Sequence, residues 1–407
     1  MEIISEYVCG MDVHKNSITA CVLTPKKKEI RTFGTMTDEL LLLLDWIQSY
    51  GCTHVAMEST GVYWKPVYNL LELEPTIKTY VVNAQHIKQV PGRKTDVKDA
   101  EWIADLLKHG LLKPSYIPNR EQRELRELVR YRRSMIDELA RESNRIQKIL
   151  EGANIKLGSV ATNILGVSGR LMLRQLIKGE ANPKTIAQLA KNKLRNKMEL
   201  LERSLNGLIG SHQRFMLINQ LDHIEYLEKQ IQKMDQEIGC RLQSASKEIE
   251  LLDSIPGIGI QTAQQIIAEV GLDMTRFQSA SHLASWAGMA PGQNESAGKK
   301  KAARTRDGNK YLRSALVEAA ASAIRKKDSY LAAKYYRLKR RRGSKKARVA
   351  IAHQILVIIY HLLTKNEQYK EFGSNHYEQK SIEAKKKKAI KHLVNLGYEV
   401  NLTIKPA

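Results

Sequence analysis

Residues 7–24 read YVCGMDVHKNSITACVLT. Two runs rich in β-branched and other apolar residues flank the polar stretch His14–Asn16, a pattern that predicts two strands joined by a tight turn. Outward from this hairpin, Glu29–Thr35 predicts a third strand. Thr37 is expected to cap a helix whose apolar positions run from Leu40 through Ile47 before Gly51 stops it. His54–Met57 predicts a fourth strand that leads into Glu58, Tyr63–Leu71 a helix, Thr79–Val82 a fifth strand, and Val97–Lys108 a helix ended by Gly110. The order β-β-β-α-β-α-β-α defines an α/β domain over residues 1–118.

Four acids in this domain fall at telling places. Asp12 ends the first strand and Glu58 the fourth, which puts both on one rim of a sheet, and Asp96 and Asp99 lie at i and i+3 at the start of the last helix. Singly, each has a structural explanation, since acids near a helix start are favoured by its dipole. Jointly, convergent carboxylates are what a pair of Mg2+ ions about 4 Å apart requires, the arrangement that serves phosphodiester cleavage.

From Arg120 to Leu150 there is no Gly or Pro, and Leu125, Leu128, Met135, Leu139, Ile146 and Ile149 recur at helical spacing, predicting one long helix. A less regular stretch with Gly158, Gly166, Gly169, Gly179 and Pro183 follows. Leu227, Ile231, Met234 and Ile238 then make a short coiled-coil pattern, which fits either packing within the chain or self-association. Residues 119–250 are accordingly expected to form a helical linker.

A further unit is expected over 251–370. Ser254–Gly271, SIPGIGIQTAQQIIAEVG, reads as a helix-hairpin-helix, in which Gly257 and Gly259 would let backbone N–H groups approach a phosphate; a plain tight turn is the other reading. Lys299–Arg313 carries seven basic residues, including Lys299, Lys300, Arg304, Arg306, Lys310 and Arg313, against the single acid Asp307, and Lys334–Arg348 carries nine basic residues and no acid. Such runs neutralise phosphates. Tyr311, Tyr330, Tyr335 and Tyr336 are interleaved with them, placed either to stack on unpaired bases or to pack in the core. Between hairpin and basic run lies LASWAGMAPGQNESAGKKK, residues 283–301, in which Ser296 is expected in an irregular, Gly-flanked segment beside Lys299–Lys301. Residues 371–407, with Lys385–Lys388, read as a solvated and mobile basic tail.

Composition narrows the function classes. The 407-residue chain has 66 Lys and Arg against 43 Asp and Glu, a formal charge of +23 that concentrates polyanions. The longest apolar run, Val349–Leu363, is interrupted by His353, Gln354, Tyr360 and His361 and falls short of the roughly 20 apolar residues a span needs, so a core helix and no membrane is the expectation. The opening MEIISEYV lacks a leader pattern, which points to the cytoplasm. Cys9, Cys21, Cys52 and Cys240 show no paired or zinc-like spacing and are expected to be reduced and buried.

The acids Asp12, Glu58, Asp96 and Asp99 on such a unit resemble the RuvC-like branch of the RNase H-like fold, whose metal site is D, E, D, D in this order. The wording around them, GMDVHK at 10–15, MESTGVYW at 57–64 and PGRKTDVKDAEWIA at 91–104, is similar to the DEDD-type insertion-sequence transposases, the bridge-RNA-guided recombinases. Later wording, PGIG, AEVG, WAGMAP, SAG and GNKYLR, is similar to the transposase domain that follows the RuvC-like domain in that family. The resemblance implies that Ser296 is a nucleophile forming a covalent phosphoserine link, although many relatives read S-G where this chain has Ser296-Ala297-Gly298. It also implies magnesium at the four acids, DNA and a structured guide RNA as partners, and a homo-oligomer of two to four protomers. Two rivals stand beside it: a RuvC-type junction nuclease that cuts with water using the four acids alone, and a non-catalytic nucleic-acid scaffold.

Overall fold

Side chains that alternate across a pleat force a strand to choose its two faces, and that choice builds the first unit, Met1–Asn119. The computed structural model describes residues 5–83, 96–180, 182–292, 295–296, 299–300, 305, 307–397 and 399–400. Strand β1 (Val8–Val13) pairs antiparallel with β2 (Ser17–Leu23), and the His14 N–H donates to the Ser17 carbonyl at 2.9 Å across the turn. Strand β3 (Lys28–Gly34) follows, then helix α1 (Thr37–Ser49), β4 (His54–Glu58), α2 (Trp64–Leu71), β5 (Lys78–Val82) and α3 (Asp96–Lys108). The sheet order is β3-β2-β1-β4-β5, with β4 parallel to both β1 and β5. This mixed sheet has the element order read from the sequence.

One face of the sheet carries Cys9, Met11, Val13, Ile18, Val55 and Met57 against α1 and α2. Leu40, Leu43, Leu44 and Ile47 of α1 lie there in a helical stripe and are all buried, each stabilising by about 2 kcal/mol. The other face carries Val8, Cys21, Ala56 and Val82 against Ala100, Ile103, Ala104 and Leu107 of α3. Thr37 is not the cap expected of it: it is the first helical residue, and the flanking Met36 offers no side-chain acceptor.

The second unit, Arg120–Ala407, is helical apart from one small hairpin among the described residues. Helix α4 (Arg120–Gly152) runs 33 residues. The stretch expected to be less regular forms α5 (Leu157–Val160), α6 (Val167–Lys178), α7 (Pro183–Ala187) and α8 (Met198–Leu205), with glycine at positive φ closing α6 at Gly179. These helices surround a core of their own with Ile146, Leu150, Met172, Leu173, Leu201, Leu217 and Ile224. Helix α9 (Ser211–Arg241) lies along α4, tied by Arg132 to Asp235 and by Arg241 to Glu124 at 3.1 Å. Leu227 and Ile238 are buried and Ile231 and Met234 half-buried, and Ile238 and Met234 pack in one core with Leu125 and Val129 of α4.

A further core gathers α10 (Ser246–Asp253), α11 (Ile260–Val270), α12 (Ala280–Trp286), α13 (Lys310–Ala323), α14 (Tyr330–Arg342) and α15 (Ser344–Lys365). Helix α15 is the one helix among the described residues long and apolar enough to cross a membrane, yet its Ile351, Ala352, Ile355, Leu356, Ile359 and Leu362 are buried in this core. Strands β6 (Glu295–Ser296) and β7 (Lys299–Lys300) form an antiparallel hairpin with Ser296 opposite Lys299, where the sequence predicted irregular chain. Residues 376–395 of the basic tail form helix α16, whose flank packs Phe372 and His376 on Tyr330. One other expectation is corrected. Cys240 is exposed rather than buried, because it lies on the outer side of α9; Cys9, Cys21 and Cys52 are buried thiols.

Candidate active site and nucleic-acid surface

Parallel pairing of β1 with β4 aligns Met11 with Met57, so the next residues, Asp12 and Glu58, are neighbours at the same strand ends. Alternation sends both to the face occupied by α3, since Met11 and Met57 belong to the opposite one. Gly10 and Ala56 precede them on that face. A Cβ at Gly10 would lie 2.3 Å from the Ala104 backbone nitrogen and 2.4 Å from the Ala100 carbonyl oxygen. Glycine is therefore what lets α3 seat on β1, and the seated turn begins one residue after Asp99. Asp99 is half-buried; the backbone of Asp96 starts α3 one turn earlier, and its side chain lies outside the described residues.

Asp12 is only 7% exposed, and a carboxylate so withdrawn from water needs partners. One is His14, whose Nε2 lies 3.0 Å from Asp12 Oδ2 while its ring is half-open to solvent. Glu58 is half-buried and its Oε1 accepts from Thr60 Oγ1 at 3.3 Å. Two carboxylates side by side, with a third acid on the helix that covers their strands, are the hard oxygen donors that Mg2+ or Mn2+ takes. Among the described residues no three His, Cys, Asp or Glu side chains stand close enough to form a complete cation cage. Oxygen donors of this kind suit magnesium in chemistry, and Asp96 begins the same helix as Asp99.

The thiols nearby are inert. Burial pushes Cys9 well above the usual thiol range, Cys21 up to about 11 and Cys52 up to about 12, so none is a nucleophile at neutral pH.

In the second unit, Gly257 has φ +90°, and a Cβ there would lie 2.3 Å from the Ala319 carbonyl oxygen of α13. That glycine is thus required by a helix contact. Gly259, the residue before α11, faces open space. Of the basic residues singled out, Lys310 is exposed, with its Nζ 5.1 Å from the Tyr311 ring centre, and Arg313 is half-buried. The side chains of Ser296, Lys299 and Lys300, and the whole of Arg304 and Arg306, lie outside the described residues. Arg340, Arg341, Arg342, Lys345 and Lys346, where α14 passes into α15, are all exposed. Beside them a cleft of about 610 Å3 is lined by Arg325, Lys326, Lys327, Lys339 and Tyr336. Tyr336 is 55% exposed, whereas Tyr335 is buried and Tyr330 and Tyr311 are half-buried. Of the four tyrosines, Tyr336 alone offers most of its ring for stacking, and the other three pack.

The sequence reading passed over two features. His14 was legible as a neighbour: it follows Asp12 by two residues, in the turn just after β1. Glu269 was not. Fully buried in α11, its carboxylate takes a forked pair of hydrogen bonds from Arg130 at 2.7 and 2.8 Å and a third from Asn309 Nδ2 at 2.6 Å. Its partners lie 139 and 40 residues away in sequence, beyond the reach of any local pattern.

A family model for DEDD transposases of the IS110 type matches residues 9–155, and a second, described as Transposase IS116/IS110/IS902 family, matches 249–337. The transposase for insertion sequence element IS1111A of Coxiella burnetii is 25% identical over 89% of this chain and 91% of its own length. The pilin gene-inverting protein of Moraxella lacunata is 25% identical over 90% of this chain and 98% of its own. The IS900 42 kDa protein of Mycobacterium paratuberculosis is 28% identical over 88% and 96%. Among solved structures, T. thermophilus RuvC in complex with a Holliday junction substrate aligns over 27% of this chain with 13% identity and a TM-score of 0.22. With both family models matched in order and relatives aligned along nearly their whole lengths, the chain belongs to the IS110/IS1111 family of insertion-sequence transposases and is a DNA transposase/recombinase.

Proposed function

We propose that this transposase cuts and rejoins DNA by attack of Ser296 on a phosphodiester, with Asp12, Glu58, Asp96 and Asp99 holding magnesium at an RNase H-like site. The observation that carries the reading is the register that sets Asp12 beside Glu58 on the face covered by α3. Magnesium bound there supplies charge neutralisation at the phosphate and at the departing oxygen. The chain's own residues do the rest. Asp12 is oriented by His14 and Glu58 by Thr60. As the bond from the Ser296 oxygen to phosphorus forms, one sugar oxygen leaves with a proton, so one phosphodiester replaces another and attack by a second strand's hydroxyl rejoins the DNA without external energy.

The pilin gene-inverting relatives favour rejoining over hydrolysis, because inverting a gene consumes no phosphodiester bond. The exposed cations at the α14–α15 junction and the net charge of +23 support contact with DNA and a structured guide RNA. We further assign residues 1–118 to the catalytic domain, 119–250 to a helical linker, 251–370 to the transposase domain with Gly257 and Gly259 in a helix-hairpin-helix, and 371–407 to a basic terminal segment. The working assembly is a dimer to tetramer in the cytoplasm.

Trapping tests the reading. Denatured reaction mixtures should contain DNA covalently attached to protein, and Ser296→Ala should abolish the attachment. Free DNA ends with no adduct would instead establish the water-using junction nuclease, and full transposition by Asp12→Asn the non-catalytic scaffold.

A further inference from the structure

The segment that carries Ser296 leaves and re-enters the helical core at one pinched neck. On one side is Gly288, after α12; on the other is Gly308, before α13. A Cβ on Gly308 would lie 2.3 Å from the Gly288 backbone nitrogen, so the two backbones touch. Just beyond, Pro291 bridges Thr305 in antiparallel fashion, and the hairpin β6–β7 lies further out. Residues 308–312 therefore fix one root of the segment that carries Ser296.

Those residues are held by a buried knot. Asn309 has two functions: its Oδ1 accepts from the backbone N–H groups of Tyr311 and Leu312, capping α13, and its Nδ2 donates to Glu269. Glu269 is locked in turn by the Arg130 fork, and Arg130 lies over the Tyr311 ring at 4.3 Å. Arg126 anchors the same corner by donating to the carbonyls of Ala268, at 3.0 Å, and Glu269. Burial brings Arg126 down to about 10, which leaves it charged at neutral pH. For Arg130 burial is the largest influence and acts in the same direction, but the hydrogen bonds to Glu269 and the attraction of its charge together outweigh it, and the guanidinium holds its proton more firmly than usual. A buried ion pair of this kind is an inefficient way to gain stability, since well-packed apolar groups do as well or better. What it offers is one discrete geometry.

We propose that Asn309, held by its bond to Glu269, is a positioning residue: through the α13 cap and the Gly288–Gly308 neck it sets the hairpin bearing Ser296. The inference rests on Ser296 being the nucleophile. Misplacement of a reacting group by about 1 Å lowers rate by up to about a hundredfold without weakening substrate binding, and that separation provides the test.

Two variants of the full-length protein divide the knot's functions. Asn309→Ser keeps a good helix cap but loses the bond to Glu269. Glu269→Gln keeps an oxygen for Asn309 but removes the charge that Arg130 needs. Single-turnover adduct formation at saturating DNA, DNA affinity and Tm are measured for each. Asn309→Ser should form adduct about tenfold or more slowly with near wild-type Tm and affinity. Glu269→Gln, assayed well below its lowered Tm, should keep a rate within about threefold of wild type. A rate that follows Tm in both variants, or a wild-type rate in Asn309→Ser, overturns the proposal. Ser296→Ala runs beside them: adduct surviving there removes the nucleophile assignment and the proposal with it, whereas adduct lost there with Asn309→Ser unaffected refutes the positioning role alone.

Discussion

In the proposed reaction the rim at Asp12 and Glu58 and the hairpin at Ser296 share one task, holding a reactive group still, and would meet it by different physics. At the rim the backbone does it. Parallel pairing fixes two strand ends in register, and a missing side chain at Gly10 lets α3 close over them. At the hairpin two residues per strand give almost no ladder, and on our proposal the group depends on the glycine neck and the buried side-chain knot. A site held by ladder hydrogen bonds should yield to substitutions of the chemical groups themselves. A site held by side chains should yield to changes far from it.

The largest expected effect tests the first half of that contrast. Asp12→Asn should lower strand cleavage on the order of a thousandfold while leaving the urea midpoint nearly unchanged, as measured by cleavage assay and equilibrium unfolding; loss of folding instead would make Asp12 a structural residue. Next, Glu269→Ala leaves Arg130 and Arg126 facing an empty buried site and should destabilise the second unit by about 3 kcal/mol or more, read from denaturant unfolding. A change below about 1 kcal/mol would mean that water or a rearranged partner takes the carboxylate's place. Gly10→Ala should destabilise by about 1–3 kcal/mol and reduce cleavage as well, because α3 carries Asp96 and Asp99. Equal stability with full cleavage would show that the helix does not need to seat so closely. Replacing Lys326 and Lys327 together with Ala should weaken DNA binding and flatten the dependence of log Kd on log salt by about one unit for each phosphate left without its cation. Unchanged slopes would move the polyanion track elsewhere.

The smallest effect concerns thiols. In the native protein a thiol reagent at neutral pH should modify Cys240 alone, the other three being buried. Cys9, Cys21 and Cys52 are held protonated by burial, so their folded values exceed the usual 9. Stability from keeping them neutral is complete below about pH 9 and is lost as pH rises toward 11 and 12. Unfolding midpoints compared between pH 8 and 11 should fall, and fall less when Cys52 is replaced by Ala.

The same contrast explains what the sequence disclosed. Strand alternation and helical stripes are local, so β1 through α3 were legible within a residue or two, and with them the shared rim of Asp12 and Glu58. Helix caps are less so: Thr37 is a good capping type, but the chain enters α1 one residue earlier, at Met36. The stretch around Gly158 to Pro183 looked irregular because its helices are short and owe their stability to a shared core rather than to propensity. Gly257 suggested a phosphate cradle, and its neighbour turned out to be the backbone of α13. The Glu269 knot was invisible, since nothing in the local sequence around a glutamate in an apolar helix announces arginines on another helix. In the quoted wording AEVG and GNKYLR, Glu269 and Asn309 now have a physical reason to occur together.

The central claim is that the acidic rim and the serine hairpin serve one reaction. Its most direct measurement is to digest the trapped protein–DNA adduct, identify the modified peptide by mass spectrometry, and compare wild type with Asp12→Asn at matched DNA occupancy and with magnesium present or chelated. The account predicts a nucleotide on Ser296 in wild type, formed only with magnesium and absent from Asp12→Asn. A modification on any other residue, or an adduct at Ser296 that forms equally well in Asp12→Asn, would contradict it.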